Sequence, residues 1–206
     1  MNEILDKYKD YILNLRIGAT DFSSIFGIRR GYDTTIYDIH IIKDCIVDII
    51  NNFGRFERDF VISGPVWEYF TSGESILLKS SPRTWFKKNY GIDGLKKRSL
   101  ILDKYIDGLI YEVLLDKANG LIGKTVIHPS HIMPVQALYV VTHEEYMDAL
   151  SIIDSHESNQ DGGVFKSYYS NKMNEVKPHY NWAKRIMKRA HVYGVYNQDK
   201  EFINLL

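Results

Sequence analysis

The chain has 206 residues, 45% hydrophobic and 25% charged, a composition that supports a sizeable core and excludes general disorder. Its 26 Lys and Arg balance 26 Asp and Glu for a formal net charge of zero; with no global field to hold a polyanion, neither nucleic acid nor an anionic membrane is an expected partner. The single cysteine, Cys45, has no internal disulfide partner, no run approaches the ~18 apolar residues of a spanning helix, and Met1 to Asp10 has no signal-peptide core, so a reducing, cytoplasmic location is expected.

Apolar residues Ile4, Leu5, Tyr8, Tyr11 and Ile12 recur at helical spacing and predict a short amphipathic helix. Leu13 to Gly18 then alternates, which predicts a strand with Leu13, Leu15 and Ile17 on one face and Arg16 on the other, emerging into a loop at Ala19-Thr20-Asp21. Ile36, Ile39, Ile42, Cys45, Ile46, Ile49, Ile50 and Phe53 form one stripe of period near 3.6, with Thr34 or Thr35 as cap and Gly54 as stop. Phe60-Val61-Ile62-Ser63, stopped by Gly64-Pro65, has the form of a buried strand. Residues 71–99 are irregular and basic and read as an excursion from the scaffold.

A second long helix spans Leu102 to Asn119, followed by a third short strand, Thr125-Val126-Ile127, that ends at His128-Pro129. Thr142-His143-Glu144-Glu145 is a capping box with an apolar helix face behind it, and a final helix runs from near Pro178 to Gly194 after a break at Asp161-Gly162-Gly163. Short apolar strands alternating with amphipathic helices predict an α/β fold with a parallel sheet. Three such strands cannot close a barrel and leave two edges to be covered or paired.

Several side chains suit chemistry. Asp21 directly follows a strand, where its hard oxygens could bind Mg²⁺, an ion that keeps several waters and needs only one or two carboxylates; the plainer reading is a cap on the following turn. Arg16 could fork onto a substrate carboxylate or pair with a structural acid. Arg29-Arg30, in the next loop, could steer an anion or form a solvated pair. His128 and His131 make a weak zinc pair without nearby Cys or acidic ligands, and His128 better suits a hydrogen bond to substrate or to a neighbouring loop. Glu68 could act as a base or as an ordinary first-turn carboxylate.

The run Gly123-Lys124-Thr125-Val126-Ile127-His128-Pro129-Ser130-His131-Ile132, then Pro134-Val135, then Thr142-His143-Glu144-Glu145 and Ala149, resembles the last barrel strand of citrate lyase β-subunit-like proteins in the HpcH/HpaI aldolase superfamily. Arg16 to Phe22 with Gly27 resembles an earlier strand end of that family. Gly64 to Phe70 and Asn171 to His179 resemble a bacterial branch of TIM-barrel C–C bond lyases found among tellurite-resistance and stress genes. The likeness extends over roughly residues 13–206.

It implies a (β/α)₈ barrel with chemistry at the carboxyl ends of the strands. Leu13–Gly18, Phe60–Ser63 and Thr125–Ile127 would be its last three strands, making residues 1–206 one partial barrel domain with a carboxyl-terminal extension over 161–206. Asp21 would match a Mg²⁺ ligand, and Arg16, Arg29 and His128 would meet a small carboxylate or acyl-thioester substrate. Glu175 would match an acid that the family's carboxyl-terminal segment contributes to an adjacent subunit's site. The expected function is the carboxyl-terminal half of a Mg²⁺-dependent C–C bond lyase, incomplete alone and acting as a homo-oligomer or with a separately encoded amino-terminal half. The alternative is a catalytically silent assembly subunit. A nucleotide-binding module is disfavoured, since neither G-x-x-x-x-G-K-[ST] nor G-x-G-x-x-G occurs.

Overall fold

The structure is a computed structural model and describes residues 2–70, 88, 91–92, 104–158 and 163–206. The chain divides into two compact units, residues 1–135 and 136–206. The excursion expected over 71–99 falls almost wholly outside the described residues, as do Asp161 and Gly162 of the expected helix break.

In the first unit, strands β1 (Leu15–Arg16), β2 (Ile62–Gly64) and β3 (Gly123–Lys124) form one sheet in the order β1-β2-β3. All pairings are parallel, with Leu15 opposite Ile62 and Ser63 opposite Gly123. Central β2 is buried along its whole length, as a parallel strand covered on both faces must be. Helix α1 (Asn2–Lys7) precedes β1, and α2 (Ala19–Ile25) follows it. Helices α3 (His40–Phe53) and α4 (Lys104–Ala118) lie in the connections leading to β2 and β3.

The isoleucine stripe builds the core. Ile42 and Ile46 of α3 are fully buried with Ile17, Ile36, Ile62 and Leu121, and Ile39, Ile49, Ile50 and Phe53 pack at the margin. Each fully buried isoleucine contributes about 1.5–3 kcal/mol relative to exposure. A short 3-10 turn, Ile36–Asp38, leads into α3, and the Asp38 carboxylate accepts from the Thr35 backbone N–H and hydroxyl, 3.0 Å each.

Three sequence expectations shift. The third strand lies at Gly123–Lys124 instead of Thr125–Ile127, because Lys124 has buried carboxylates to reach and Ile127 is left 53% exposed. Ala19-Thr20-Asp21 opens a helix instead of a loop: Gly18 ends the strand and stands at the N-cap, and an acid in a first helical turn is favoured by the helix dipole. Leu13, assigned to the apolar strand face, is 90% exposed and precedes β1.

The second unit pairs α6 (His143–Glu157) with α7 (Val176–Tyr193) around Val141, Ala149, Ile152, Ala183 and Ile186. Helix α5 (Ile132–Tyr139) precedes them. The expected capping box forms: the Glu145 backbone N–H donates to Thr142 Oγ1 and the Thr142 N–H donates to Glu145 Oε2, both at 3.1 Å. Strands β4 (Val164–Lys166) and β5 (Met173–Glu175) form an antiparallel hairpin that the sequence reading missed. Gly194, at φ 82°, ends α7 in a conformation that only glycine adopts freely. Among the described residues no helix is long and apolar enough to cross a membrane.

Candidate functional site

Because β1, β2 and β3 run parallel side by side, the segments that leave them, beginning at Ile17, Pro65 and Thr125, emerge from the same end of the sheet. That end is where open and closed α/β sheets bind ligands.

Asp21 is exposed in the first turn of α2, and its side chain folds back over Gly18, so that a Cβ on Gly18 would stand 2.6 Å from Asp21 Oδ2. The Gly18 N-cap has no side-chain hydrogen bond, and among the described residues no hydrogen bond or ion pair engages the Asp21 carboxylate. Arg16 on β1 and Arg29 beyond α2 are exposed and likewise make no ion pair among the described residues.

Arg30, next to Arg29, is the arginine the fold takes inside. Its Nε and Nη2 donate to Glu68 Oε2 at 2.8 and 2.6 Å, Nη2 also donates to the Val66 carbonyl at 2.7 Å, and Nη1 donates to Glu112 Oε2. The guanidinium lies over the Trp67 ring, 4.9 Å from its centroid. Four of its five N–H groups are thus committed within the protein, and Arg30 has no fork to offer a substrate. Glu68, with a side chain 32% exposed, is pinned by Arg30 on Oε2 and accepts from Thr20 Oγ1 at 3.0 Å on Oε1.

Behind Glu68 the polar network continues inward. Glu112 of α4 accepts from Lys124 Nζ at 2.7 Å and from the Ile36 backbone N–H at 3.0 Å. Lys124 Nζ also lies 2.9 Å from Asp116 Oδ2, and the Tyr37 hydroxyl donates to Asp116 Oδ1 at 2.6 Å. Gly64 is required here, because a Cβ would overlap the Asp116 carboxylate. Burial alone would push the Glu112 carboxyl up, but Lys124 and Arg30 outweigh it and hold it below the usual range. Burial pushes Asp116 up and Glu112 adds to that, so its carboxyl stays raised despite Lys124. Burial would lower Lys124, yet its two carboxylates keep the ammonium above its ordinary value.

Past β3, the His128 ring stacks on Phe70, with centroids 4.1 Å apart and planes 2° from parallel. The Ser130 backbone N–H and hydroxyl approach His128 Nδ1 at 3.3 and 2.8 Å. His131 is buried, with Nε2 3.0 Å from the Tyr69 carbonyl. Glu175 belongs to the second unit, where it is exposed at the end of β5 and its backbone N–H donates to His179 Nδ1 at 3.0 Å. Beside it Asn174 is buried and donates to Asp148 at 3.1 Å. Among the described residues no group of three or more His, Cys, Asp and Glu is placed to hold a metal.

The sequence reading passed over Glu112, Asp116 and Lys124 as site residues. One signal was available: Glu112 and Asp116 are four residues apart on a helix with Val113, Leu114 and Leu115 between them, and a helix apolar most of the way round is buried, acids included.

Parallel strands, interleaved helices and polar groups gathered at one sheet end define an α/β fold. The chain matches, over residues 1–195, the family described as C–C bond lyase of the TIM-barrel fold, and it belongs to that family. No curated protein and no solved structure matches it.

Proposed function

We infer that the chain acts as the carboxyl-terminal part of a Mg²⁺-dependent C–C bond lyase resembling the citrate lyase β-subunit class. The observation that carries this reading is Asp21: an exposed carboxylate just past β1, folded over Gly18 and engaged by no group among the described residues. Its hard oxygens and open surroundings suit Mg²⁺, which retains waters and takes one or two carboxylates. When bound, the cation supplies Lewis-acid stabilisation of charge developing on a carbonyl or carboxylate as the C–C bond breaks. Arg16 and Arg29, both exposed, attract the substrate carboxylate or acyl thioester. His128 donates a hydrogen bond at the mouth of β3, and Glu175 exchanges a proton in the site of an adjacent subunit. The bacterial branch resembled by Gly64–Phe70 and Asn171–His179 suggests a stress-response setting in the cytoplasm.

The outer edges of β1 and β3 have no strand partner among the described residues. This supports completion of the sheet by strands outside the described residues, since unpaired edges template strand addition. The same edges suit the second reading, a catalytically silent assembly subunit, and metal binding separates the two. Thermal unfolding of the protein with and without Mg²⁺ tests the enzyme reading: a ligand at ~100 times its Kd stabilises by about 2.7 kcal/mol. Parent protein is expected to gain and Asp21→Asn to lose that gain. Equal shifts in both overturn the assignment of Asp21 and favour the silent subunit.

A further inference from the structure

Glu68 holds helix α2 at both of its ends. Its Oε1 accepts from Thr20 Oγ1 at 3.0 Å, in the first turn of the helix. Its Oε2 accepts from Arg30 Nε and Nη2 at 2.8 and 2.6 Å, beyond the last turn. The carboxylate belongs to the segment that leaves β2, so α2 is fastened across the sheet end as well as along its own chain. Hydrogen bonds onto a charged acceptor are the stronger kind.

One side of this clamp is rigid. Arg30 is held by Glu112 through Nη1, by the Val66 carbonyl through Nη2 and by the Trp67 ring beneath the guanidinium. An arginine bound on that many sides keeps Oε2 of Glu68 in place and leaves Oε1 directed at Thr20. The helix start has no fastening of its own, because Gly18 at the N-cap has no side chain to accept from the first backbone N–H groups. Asp21 follows Thr20 in that turn, exposed, with its carboxylate over Gly18. The contact between Thr20 and Glu68 therefore governs the turn from which Asp21 projects. Both oxygens of Glu68 are engaged, and taking up a substrate proton would weaken the contacts that hold α2.

We propose that Glu68 is a positioning residue that clamps α2 at both ends and thereby sets where the Asp21 carboxylate is presented. Its use to the protein rests on the reading of Asp21 as a cation ligand, whereas the clamp itself concerns α2 alone.

Native-state hydrogen exchange of the full chain, without metal, tests the clamp, since exchange reports local opening. The Phe22 N–H donates to the Gly18 carbonyl at 3.1 Å near the start of α2, and the Ile28 N–H donates to the Ser23 carbonyl at 2.9 Å just past its end. Ile46, in the core, serves as reference. Thr20→Val, at an exposed position, is expected to speed exchange at Phe22 by about three- to tenfold and to leave Ile28 and Ile46 unchanged. Thr20→Ser, which keeps the hydroxyl, should match the parent. Glu68→Ala should speed Phe22 and Ile28 more than Ile46; where it loosens all three alike or does not fold, Thr20→Val decides alone. Unchanged exchange at Phe22 in Thr20→Val overturns the clamp.

The second arm titrates Mn²⁺, a paramagnetic ion that suits the same oxygen ligands as Mg²⁺, and reads binding from water-proton relaxation. Thr20→Val should weaken Mn²⁺ binding by about three- to tenfold, and Thr20→Ser should restore it. Equal affinity in the parent and Thr20→Val overturns the positioning of Asp21. A parent that binds no Mn²⁺ but shows the expected exchange pattern overturns the cation reading of Asp21 and leaves the clamp standing.

Discussion

Lys124 of β3 places its ammonium 2.7 Å from the Glu112 carboxylate of α4, and both side chains are completely buried. The pair links the strand to the helix that precedes it, and Arg30 extends the link to Glu68 at the sheet end. Glu112→Gln would leave Arg30 and Lys124 facing each other across one neutral amide. Breaking one side of such a buried network costs about 3–5 kcal/mol, and urea unfolding at neutral pH is expected to show a loss of that size.

The two acids of this network are expected to respond oppositely to pH. Glu112 is held low by Lys124 and Arg30 against the pull of burial, so its stabilisation is complete above the ordinary carboxylate range of about pH 4.3 and disappears as the pH falls through its lowered value. Asp116 is raised by burial, so its contribution is greatest below its ordinary value and is lost as the pH rises. The deficit of Glu112→Gln should therefore shrink in acid, while that of Asp116→Asn should shrink from acid towards neutrality. Unfolding free energies of the three proteins across that range check both directions.

Gly108→Ala is expected to disturb the site from a distance. A Cβ at Gly108 on α4 would overlap the Trp67 ring, and Trp67 supports the Arg30 guanidinium. Overpacking of this kind costs about 1–3 kcal/mol, to be read from denaturant midpoints. Tryptophan fluorescence should shift with it, and an unchanged spectrum and midpoint would show that α4 yields freely.

Gly18→Ala separates fold from site. Gly18 has φ −87°, which alanine adopts without strain, yet the new methyl would meet Asp21 Oδ2. The fold should survive, with melting shifted by no more than about 1 kcal/mol, while stabilisation by Mg²⁺ falls. Full retention of the Mg²⁺ effect would show that the present Asp21 rotamer is immaterial.

In the second unit, Lys172 bonds Glu144 at 2.6 Å and lies 2.8 Å from Asp148. Hydrogen bonds from Lys172 and Asn171 hold the Glu144 carboxyl low, so this contribution is present at neutral pH and lost on acidification. Lys172→Met should lower the melting temperature near neutrality and make little difference in strong acid. Equal losses at both ends of the range would assign the effect to packing of the lysine stem.

What the sequence made legible follows from how locally each feature is encoded. The α3 stripe and the Thr142–Glu145 box are written within one helix or one turn: the box appears as read, and the stripe packs as one core, although its first residue, Ile36, lies in the 3-10 turn that Thr35 caps and the helix itself begins at His40. The parallel sheet followed from strands separated by helices. Strand ends were less legible, because β3 stops where Lys124 meets acids supplied by α4, a contact that no local pattern contains. Asp21 and His128 stood out because each follows a run of strand-like alternation or apolar residues, although the strands themselves end earlier, at Arg16 and Lys124. Arg29 and Arg30 look alike in the sequence, and only the placement of Glu68 and Glu112 decides which one is drawn inside.

The three-stranded sheet also bears on how much of this protein a cell can carry. Each outer ladder, unpaired among the described residues, is a row of backbone donors and acceptors that favours addition of an extended segment. Expression in excess of whatever covers these edges would channel copies to proteases or into aggregates, so an edge left open caps the level of usable protein.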